Sequence, residues 1–221
     1  MNAIRLCSLI AATAALALAQ NQHGEWTLGP CDTPGKIHFS LQSADDHRSF
    51  NSSSDWNISD LHGLDLSIAG KHDVHFTIAR DAGSIEAEGF AKDGEGAGLY
   101  TFQANPQYIH QMETLGFPGI TPEQQLAFAL HDVSFSYARE MTSLGIQGLD
   151  AHKLLACRIF HVDAAFVKEL HDAGINVVEA GKLIAFRIHK VTPQYIADLR
   201  AHGMHNLTAD QLIALRIHGI E

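Results

Sequence analysis

The chain has 221 residues, with 15 Lys and Arg against 25 Asp and Glu, which gives a formal net charge of −10 at pH 7. Nucleic acids and anionic membranes require a basic protein face, so this acidic balance argues against both as partners. Once a short export signal is set aside, about two hundred residues remain, enough for one small domain and one repeat array.

Residues 1–19 have the pattern of a signal peptide. Arg5 provides a positive start, an apolar stretch runs from Leu6 to Ala19, and small residues precede a cleavage site after Ala19. This stretch is shorter than the roughly 20 residues that a membrane-spanning helix needs. The sequence therefore predicts a periplasmic or secreted protein with no membrane span after signal removal. An uncleaved anchor is the alternative.

Residues 20–104 alternate apolar residues with others, as half-buried strands do. We predict a small antiparallel β domain here, a meander that closes into a sandwich or half-barrel. Tight connections are predicted at Asp81–Gly83 and Asp93–Gly96, and the polar run from Ser43 to Asp55 is predicted to be a loop. The clearest strand-like segments are Ile37–Leu41, Val74–Ile78, Ile85–Phe90 and Leu99–Gln103.

Residues 105–221 contain a motif that recurs every 29 residues. Periods of this length are typical of arrays that stack units unable to bury an apolar face alone. We predict four helical hairpins, called copies one to four: 105–133, 134–162, 163–191 and 192–220. The predicted fold class is therefore α+β, with the β domain followed by a four-copy helical-hairpin array. The recurring glycines are Gly116, Gly145, Gly174 and Gly203.

Signals for helix starts and ends recur with the same period. The glycines supply the left-handed conformation that ends a first helix in each copy. The second helix begins at Thr121, Asp150, Glu179 or Thr208, of which Glu179 is the poorest N-cap. Each copy is thus predicted to be two short helices of about ten residues. The predicted N-caps of the first helices are Asn105, Ser134, Asp163 and Thr192.

The second helices are apolar nearly all round, which predicts burial on several sides and a central position in the array. One pair of columns varies together, because copies two to four have both members and copy one has neither. We interpret this as an ion pair within each copy; an arginine ladder that binds an anion is the alternative. The columns are Arg158, Arg187 and Arg216 on second helices, and Glu140, Glu169 and Asp198 on first helices.

No residue pattern predicts catalysis, a cofactor or a metal site. The sequence lacks the HExxH, GxSxG and CxxC motifs. His72 and His75 point to opposite faces of a predicted strand. Equivalent histidines in stacked copies lie about 8 to 10 Å apart, too far to share a metal. Cys157 falls in an apolar column, which predicts burial, with a bond to Cys31 as the alternative.

The last copy suggests an interaction surface. Stacked arrays normally finish with a polar outer face, whereas copy four keeps several large apolar residues close to the end of the chain. Exposed apolar patches tend to mark association sites. We therefore predict that the C-terminal copy pairs with a second copy or with another protein, through Leu212, Leu215, Ile217 and Ile220.

The repeats resemble a known type of sequence. The segments Thr192–Ile196 and Leu212–Gly219 are similar to repeats of exported proteins from acidobacteria-like bacteria, which are also appended to some BlaR-type membrane metallopeptidases. The resemblance covers Asn105 to Glu221 and is closest in copy four. It implies a bacterial envelope protein with an interaction array. Peptidase activity is not implied, because the zinc motif is absent here.

Together these features predict a non-catalytic, exported envelope protein that acts as a protein–protein interaction scaffold. The alternative is a ligand-binding module in which the β domain recognises a glycan or peptide and the array is a spacer. Trp26, Trp56 and Tyr100 would then form an aromatic platform. Burial of Trp56 favours the scaffold, whereas Trp26 and Trp56 side by side on an open face favour the ligand-binding module.

Overall fold

The computed structural model describes residues 22–43 and 50–220, and the predicted signal peptide lies outside them. In this part of the chain, six strands precede eight α-helices, so the fold class is α+β. The strands are β1 Gln22–Gly29, β2 Lys36–Ser43, β3 Asn51–Asn57, β4 His72–Arg80, β5 Gly83–Lys92 and β6 Glu95–Ala104. The helices are α1 Pro106–Thr114, α2 Pro122–Leu130, α3 Phe135–Ser143, α4 Ala151–Ile159, α5 Ala164–Asp172, α6 Ala180–Ile188, α7 Pro193–Ala201 and α8 Ala209–Ile217.

The strands form one antiparallel sheet in the order β3-β2-β1-β6-β5-β4. Two three-stranded meanders are therefore joined by the pairing of β1 with β6, and the sheet is not a single meander. The Phe76 ring on β4 lies 5.1 Å from the Trp26 ring on β1 and 5.9 Å from the Phe39 ring on β2, between ring centroids. Because β4 is not a neighbour of β1 or β2, these ring contacts indicate that the sheet is curved around its apolar face.

The loop predicted from Ser43 to Asp55 is wrong for its last part, since residues 51–55 belong to β3. This edge strand pairs with β2 along its whole length through the backbone. Its serines alternate between half-buried and exposed positions, and they carry no apolar signal. Strand identity here depends on backbone pairing with β2, which side-chain polarity does not report.

Trp26 is buried in the concave face of the sheet. Its indole N–H lies 3.1 Å from the carbonyl oxygens of both Glu88 and Leu99, to which it donates. A Cβ at Gly89 would lie 2.8 Å from the indole ring, and one at Gly96 would lie 3.1 Å away. The ring therefore requires a strand surface without side chains. Trp26 belongs to the core, and it does not lie beside Trp56 on an open face.

Each of the eight helices has nine residues, and equivalent helices begin 29 residues apart. All four predicted first-helix N-caps accept a backbone hydrogen bond through their side chains, which confirms those predictions. Thr121 and Thr208 form complete capping boxes, whereas Glu179 makes no side-chain cap. The four recurring glycines all have positive φ, as their role at helix ends requires.

A tyrosine hydroxyl ties the first helix to the end of the second helix in three of the four 29-residue segments. The hydroxyl donates to a backbone carbonyl 25 residues further along the chain. Phe166 occupies the equivalent position in residues 163–191 and has no hydroxyl to donate. The pairs are Tyr108 with Val133 at 2.6 Å, Tyr137 with Val162 at 2.7 Å, and Tyr195 with Ile220 at 2.7 Å.

The sheet and the two helices that follow it, α1 and α2, share one core. The Ala82 carbonyl, in the β4–β5 turn, accepts hydrogen bonds from the Asn105 backbone N–H at 3.0 Å and from the Gln125 side chain at 2.7 Å. Gln125 is buried, and leucine stands at its equivalent position in the three later copies. α2 packs on β5 and β6. Burial on several sides therefore holds for α2, whose C-terminal six residues are all buried.

The tyrosine hydrogen bonds can be tested at a single oxygen atom. We expect Tyr137→Phe to reduce the free energy of unfolding by about 1 to 2 kcal/mol, because the buried Val162 carbonyl loses its donor. The reverse change, Phe166→Tyr, supplies a hydroxyl in the one segment that lacks it and is expected to stabilise by about 0.5 to 1 kcal/mol. Urea denaturation of both variants measures the two effects. Equal stability of Tyr137→Phe and wild type would contradict this role.

Candidate interaction site

The most exposed apolar residues of the helices recur at one position. Ile159, Ile188 and Ile217 end α4, α6 and α8, and they are 39%, 48% and 57% exposed. Leu130 holds this position at the end of α2 and is buried. The last three second helices are thus not buried on several sides, which corrects that prediction. We call these three residues the isoleucine column.

The arginine that precedes each isoleucine stacks on an aromatic ring. The guanidinium carbon of Arg187 lies 3.8 Å from the centroid of the Phe166 ring. Cation–π contacts of this kind contribute about 0.5 to 2 kcal/mol. Each arginine is therefore held against the first helix of its own segment. The other two contacts are Arg158 over Tyr137 at 5.0 Å and Arg216 over Tyr195 at 4.7 Å.

The predicted ion pairs within each copy are wrong. In the described residues no ion pair joins Arg158 to Glu140, Arg187 to Glu169 or Arg216 to Asp198. The aromatic ring takes the place that the acid was expected to fill. Arg187 also has a buried Nε atom without a hydrogen-bond partner. The arginines of the last two segments therefore present cationic groups beside exposed isoleucines.

Asp132 joins the β domain to the helices. Its carboxylate lies 2.7 Å from a terminal nitrogen of Arg158 and 3.6 Å from Nε of Arg80, which ends β4. The Nε of Arg158 donates to the His131 carbonyl at 3.2 Å. Sequence reasoning missed this contact, because Asp132 has no acidic equivalent in the later copies and its partners come from two parts of the fold.

These residues border a groove of about 620 Å³ between the sheet edge and the ends of α2 and α4. The half-buried Trp56 lies on its sheet side, and Ile159 lies on its helix side. The groove is therefore continuous with the isoleucine column. Its remaining lining residues are Lys36, Ser54, Asp55, Asn57, Asp60, Arg80, Leu130, His131, Asp132, Arg158 and His161.

A double-mutant cycle distinguishes Asp132 from Glu140 as the acidic partner of Arg158. We expect Arg158→Gln and Asp132→Asn to show a coupling free energy of about 0.2 to 1 kcal/mol, because both groups are partly exposed. Asn suits position 132, where φ is 51°. The control cycle pairs Arg158→Gln with Glu140→Gln and is expected to give coupling near zero. Thermal or urea unfolding measures both coupling free energies. A larger coupling of Arg158 with Glu140 than with Asp132 would contradict the assignment.

A serine, a histidine and an aspartate lie in line on the outer face of β2 and β3. Ser53 Oγ is 2.6 Å from His38 Nε2, and His38 Nδ1 is 2.9 Å from Asp55 Oδ1. This is the order of a catalytic triad, in which the aspartate is buried. Here the side chains of His38 and Asp55 are about half exposed, and Ser53 also bonds to Ser40 at 2.8 Å. We interpret the group as a cross-strand network that holds the polar edge strand β3.

Of the four residues predicted to form an interaction surface in the last copy, two are exposed. Leu212 is buried in the core. Leu215 is partly buried. Ile217 and Ile220 are exposed, and Ile217 belongs to the isoleucine column. The exposed apolar surface thus runs along the second helices and is not confined to the end of the chain.

Within residues 22–43 and 50–220, no group of three or more His, Cys, Asp or Glu side chains has the geometry to hold a metal ion. Cys31 and Cys157 are both free thiols. Burial raises the pKa of the Cys157 thiol to about 12, which keeps it protonated and unreactive. Cys157 is therefore the buried apolar residue that its column predicted.

No protein-family model, curated protein or solved structure matches this chain. Within the described part of the chain, no helix combines the length and apolar character needed to cross a bilayer.

His131, in the groove, makes stability depend on pH. Burial lowers its pKa below the usual 6.5, so the unfolded chain binds this proton more readily than the folded chain. Stability should therefore fall as pH decreases through 6.5, by at most about 1.4 kcal/mol per pH unit. We expect His131→Phe to lose less stability than wild type between about pH 7.5 and 5. Phenylalanine suits the position because Phe160 is its equivalent. Parallel loss in both proteins, measured by urea unfolding, would contradict this.

Proposed function

We propose that this chain is a non-catalytic, exported bacterial envelope protein that acts as a protein–protein interaction scaffold. Residues 105–221 form a four-copy helical-hairpin array whose first copy is fixed to the β domain. The equal helix lengths, the recurring caps and the recurring tyrosine hydrogen bonds support this reading of the helices. Residues 1–19 support export, since they have the composition of a signal peptide.

The isoleucine column is the single observation that carries the proposal. A soluble surface rarely repeats an exposed, large apolar residue at one structural position without a partner to cover it. The residue recurs at 159, 188 and 217, where the helical array needs it neither for its core nor for its caps. Stacking of equivalent helices places the three isoleucines in a line, with about 8 to 10 Å between neighbouring residues.

The aromatic-platform alternative has less support. Trp26 and Tyr100 are core residues, so only Trp56 lies near a surface. Trp56 packs edge-on against Phe39 at 5.6 Å, which leaves part of its ring to form a wall of the groove. One tryptophan edge offers a sugar ring no stacking surface comparable to a pair of open faces.

Site-specific cross-linking in the producing cell tests the scaffold function. A photo-reactive amino acid is placed at position 188 of the full-length chain. We expect position 188 to cross-link efficiently to a defined protein, identified by mass spectrometry. Changing Ile159 and Ile217 to Ser in the same chain should reduce that yield by at least about tenfold.

A matched control uses Val178, an exposed apolar residue of the loop between α5 and α6 that lies outside the column. Val178→Ser should leave the yield at position 188 unchanged. Absence of any product at position 188, or a yield that does not respond to the Ser substitutions, would overturn the proposed function.

A further inference from the structure

The outer face of the sheet carries an acidic patch around two exposed apolar residues. Strand register places Glu25, Leu99 and Glu88 in one row across β1, β6 and β5. Leu99 is 60% exposed, the largest exposed fraction among the large apolar residues of the described chain. The next row holds Phe90, which is 43% exposed. We call this surface the acidic sheet face.

Two shallow depressions flank the Leu99 side chain. One of about 600 Å³ is bordered by Asp73, Glu88 and Phe90, and one of about 160 Å³ by Glu86, Glu88 and Thr101. Leu99, Glu88 and His75 border both depressions. The face therefore combines a raised apolar residue with two recesses, each of which has carboxylates at its rim. Lys71 covers the Phe90 ring at 3.9 Å, so Leu99 is the more open apolar group.

The arginines next to the isoleucine column carry the opposite charge. Arg187 and Arg216 precede Ile188 and Ile217, and in the described residues neither arginine forms an ion pair. A carboxylate is the group that a guanidinium binds best, through two parallel hydrogen bonds. The column thus requires a partner with carboxylates next to apolar side chains and recesses.

We propose that the partner is a second copy of this chain, which seats its acidic sheet face on the isoleucine column. Ile188 and Ile217 enter the recesses beside Leu99, and the arginines meet carboxylates such as Glu88 and Glu86. The proposal rests on the proposed function and names its partner. The two faces belong to different parts of one chain, so the contact is head-to-tail and leaves an unused face at each end.

Sedimentation velocity on the full chain after signal removal tests the contact from about 1 μM to 1 mM. We expect wild type to associate beyond a dimer, or to close into a ring, and to dissociate as salt rises. A column variant, Ile188→Ser with Ile217→Ser, and a sheet variant, Leu99→Thr with Glu88→Gln, should each lose at least about tenfold in association constant. All four positions are exposed, so these changes spare the core.

Mixing the two variants is the decisive step. The column variant keeps an intact sheet face, and the sheet variant keeps an intact column, so the mixture should form a 1:1 pair that grows no further. The control variant, Ile68→Ser with Val178→Ser, removes two residues of similar exposure elsewhere and should associate like wild type.

The outcomes separate this proposal from the scaffold function. A wild-type chain that stays monomeric up to about 1 mM, or a mixture that forms no pair, overturns the head-to-tail contact. If position 188 then cross-links to a different protein in the cell, the scaffold function stands without self-association. If position 188 captures nothing in the cell while the purified variants pair, the contact stands, and the scaffold function fails for the producing cell.

Discussion

The Ala82 carbonyl is the contact on which the rest of the arrangement depends. It lies in the turn between β4 and β5 and accepts hydrogen bonds from Asn105, the first helix cap, and from the buried Gln125. A buried amide group is costly unless it is hydrogen-bonded, so this pairing fixes how the helices meet the sheet. The turn also places the Asp81 carboxylate on the backbone N–H of Phe135, at the start of α3. Helices α1, α2 and α3 are thus attached to the sheet by these hydrogen bonds.

The departures of the first 29-residue segment have the same cause. Ala129 is buried where the later segments have a stacked arginine, and Asp132 pairs with arginines of the sheet and of the next segment. Ala129 and Asp132 both suit a helix that is covered by the sheet on the side where the later second helices are exposed to solvent. The exposed isoleucines begin at Ile159, beyond the region that the sheet covers. Attachment at one end and exposure along the remainder are therefore two consequences of one packing arrangement.

Local signals predicted the helices well, because caps and glycines act within a few residues of the chain. The strands with apolar alternation were also predicted, whereas β3 was not, since its serines and Asp55 carry no such alternation. The isoleucine column and the groove were missed because exposure depends on which neighbours cover a residue. Covariation of the arginine and acid columns suggested a contact that stacking on Tyr137 or Phe166 replaces. The sequence pattern thus indicated that Arg158 makes a specific contact, but the identity of its partner depends on the packing of the helices.

Phe166 has a consequence for how the helices respond to mechanical or thermal stress. In the other three segments a hydroxyl closes a loop of 25 residues, whereas residues 163–191 rely on the ring and the arginine above it. Proteins open in cooperative units whose free energies differ along the chain. The third segment is accordingly expected to open locally at a lower free energy than its neighbours. Its local opening breaks one tyrosine hydrogen bond fewer than the opening of either neighbouring segment.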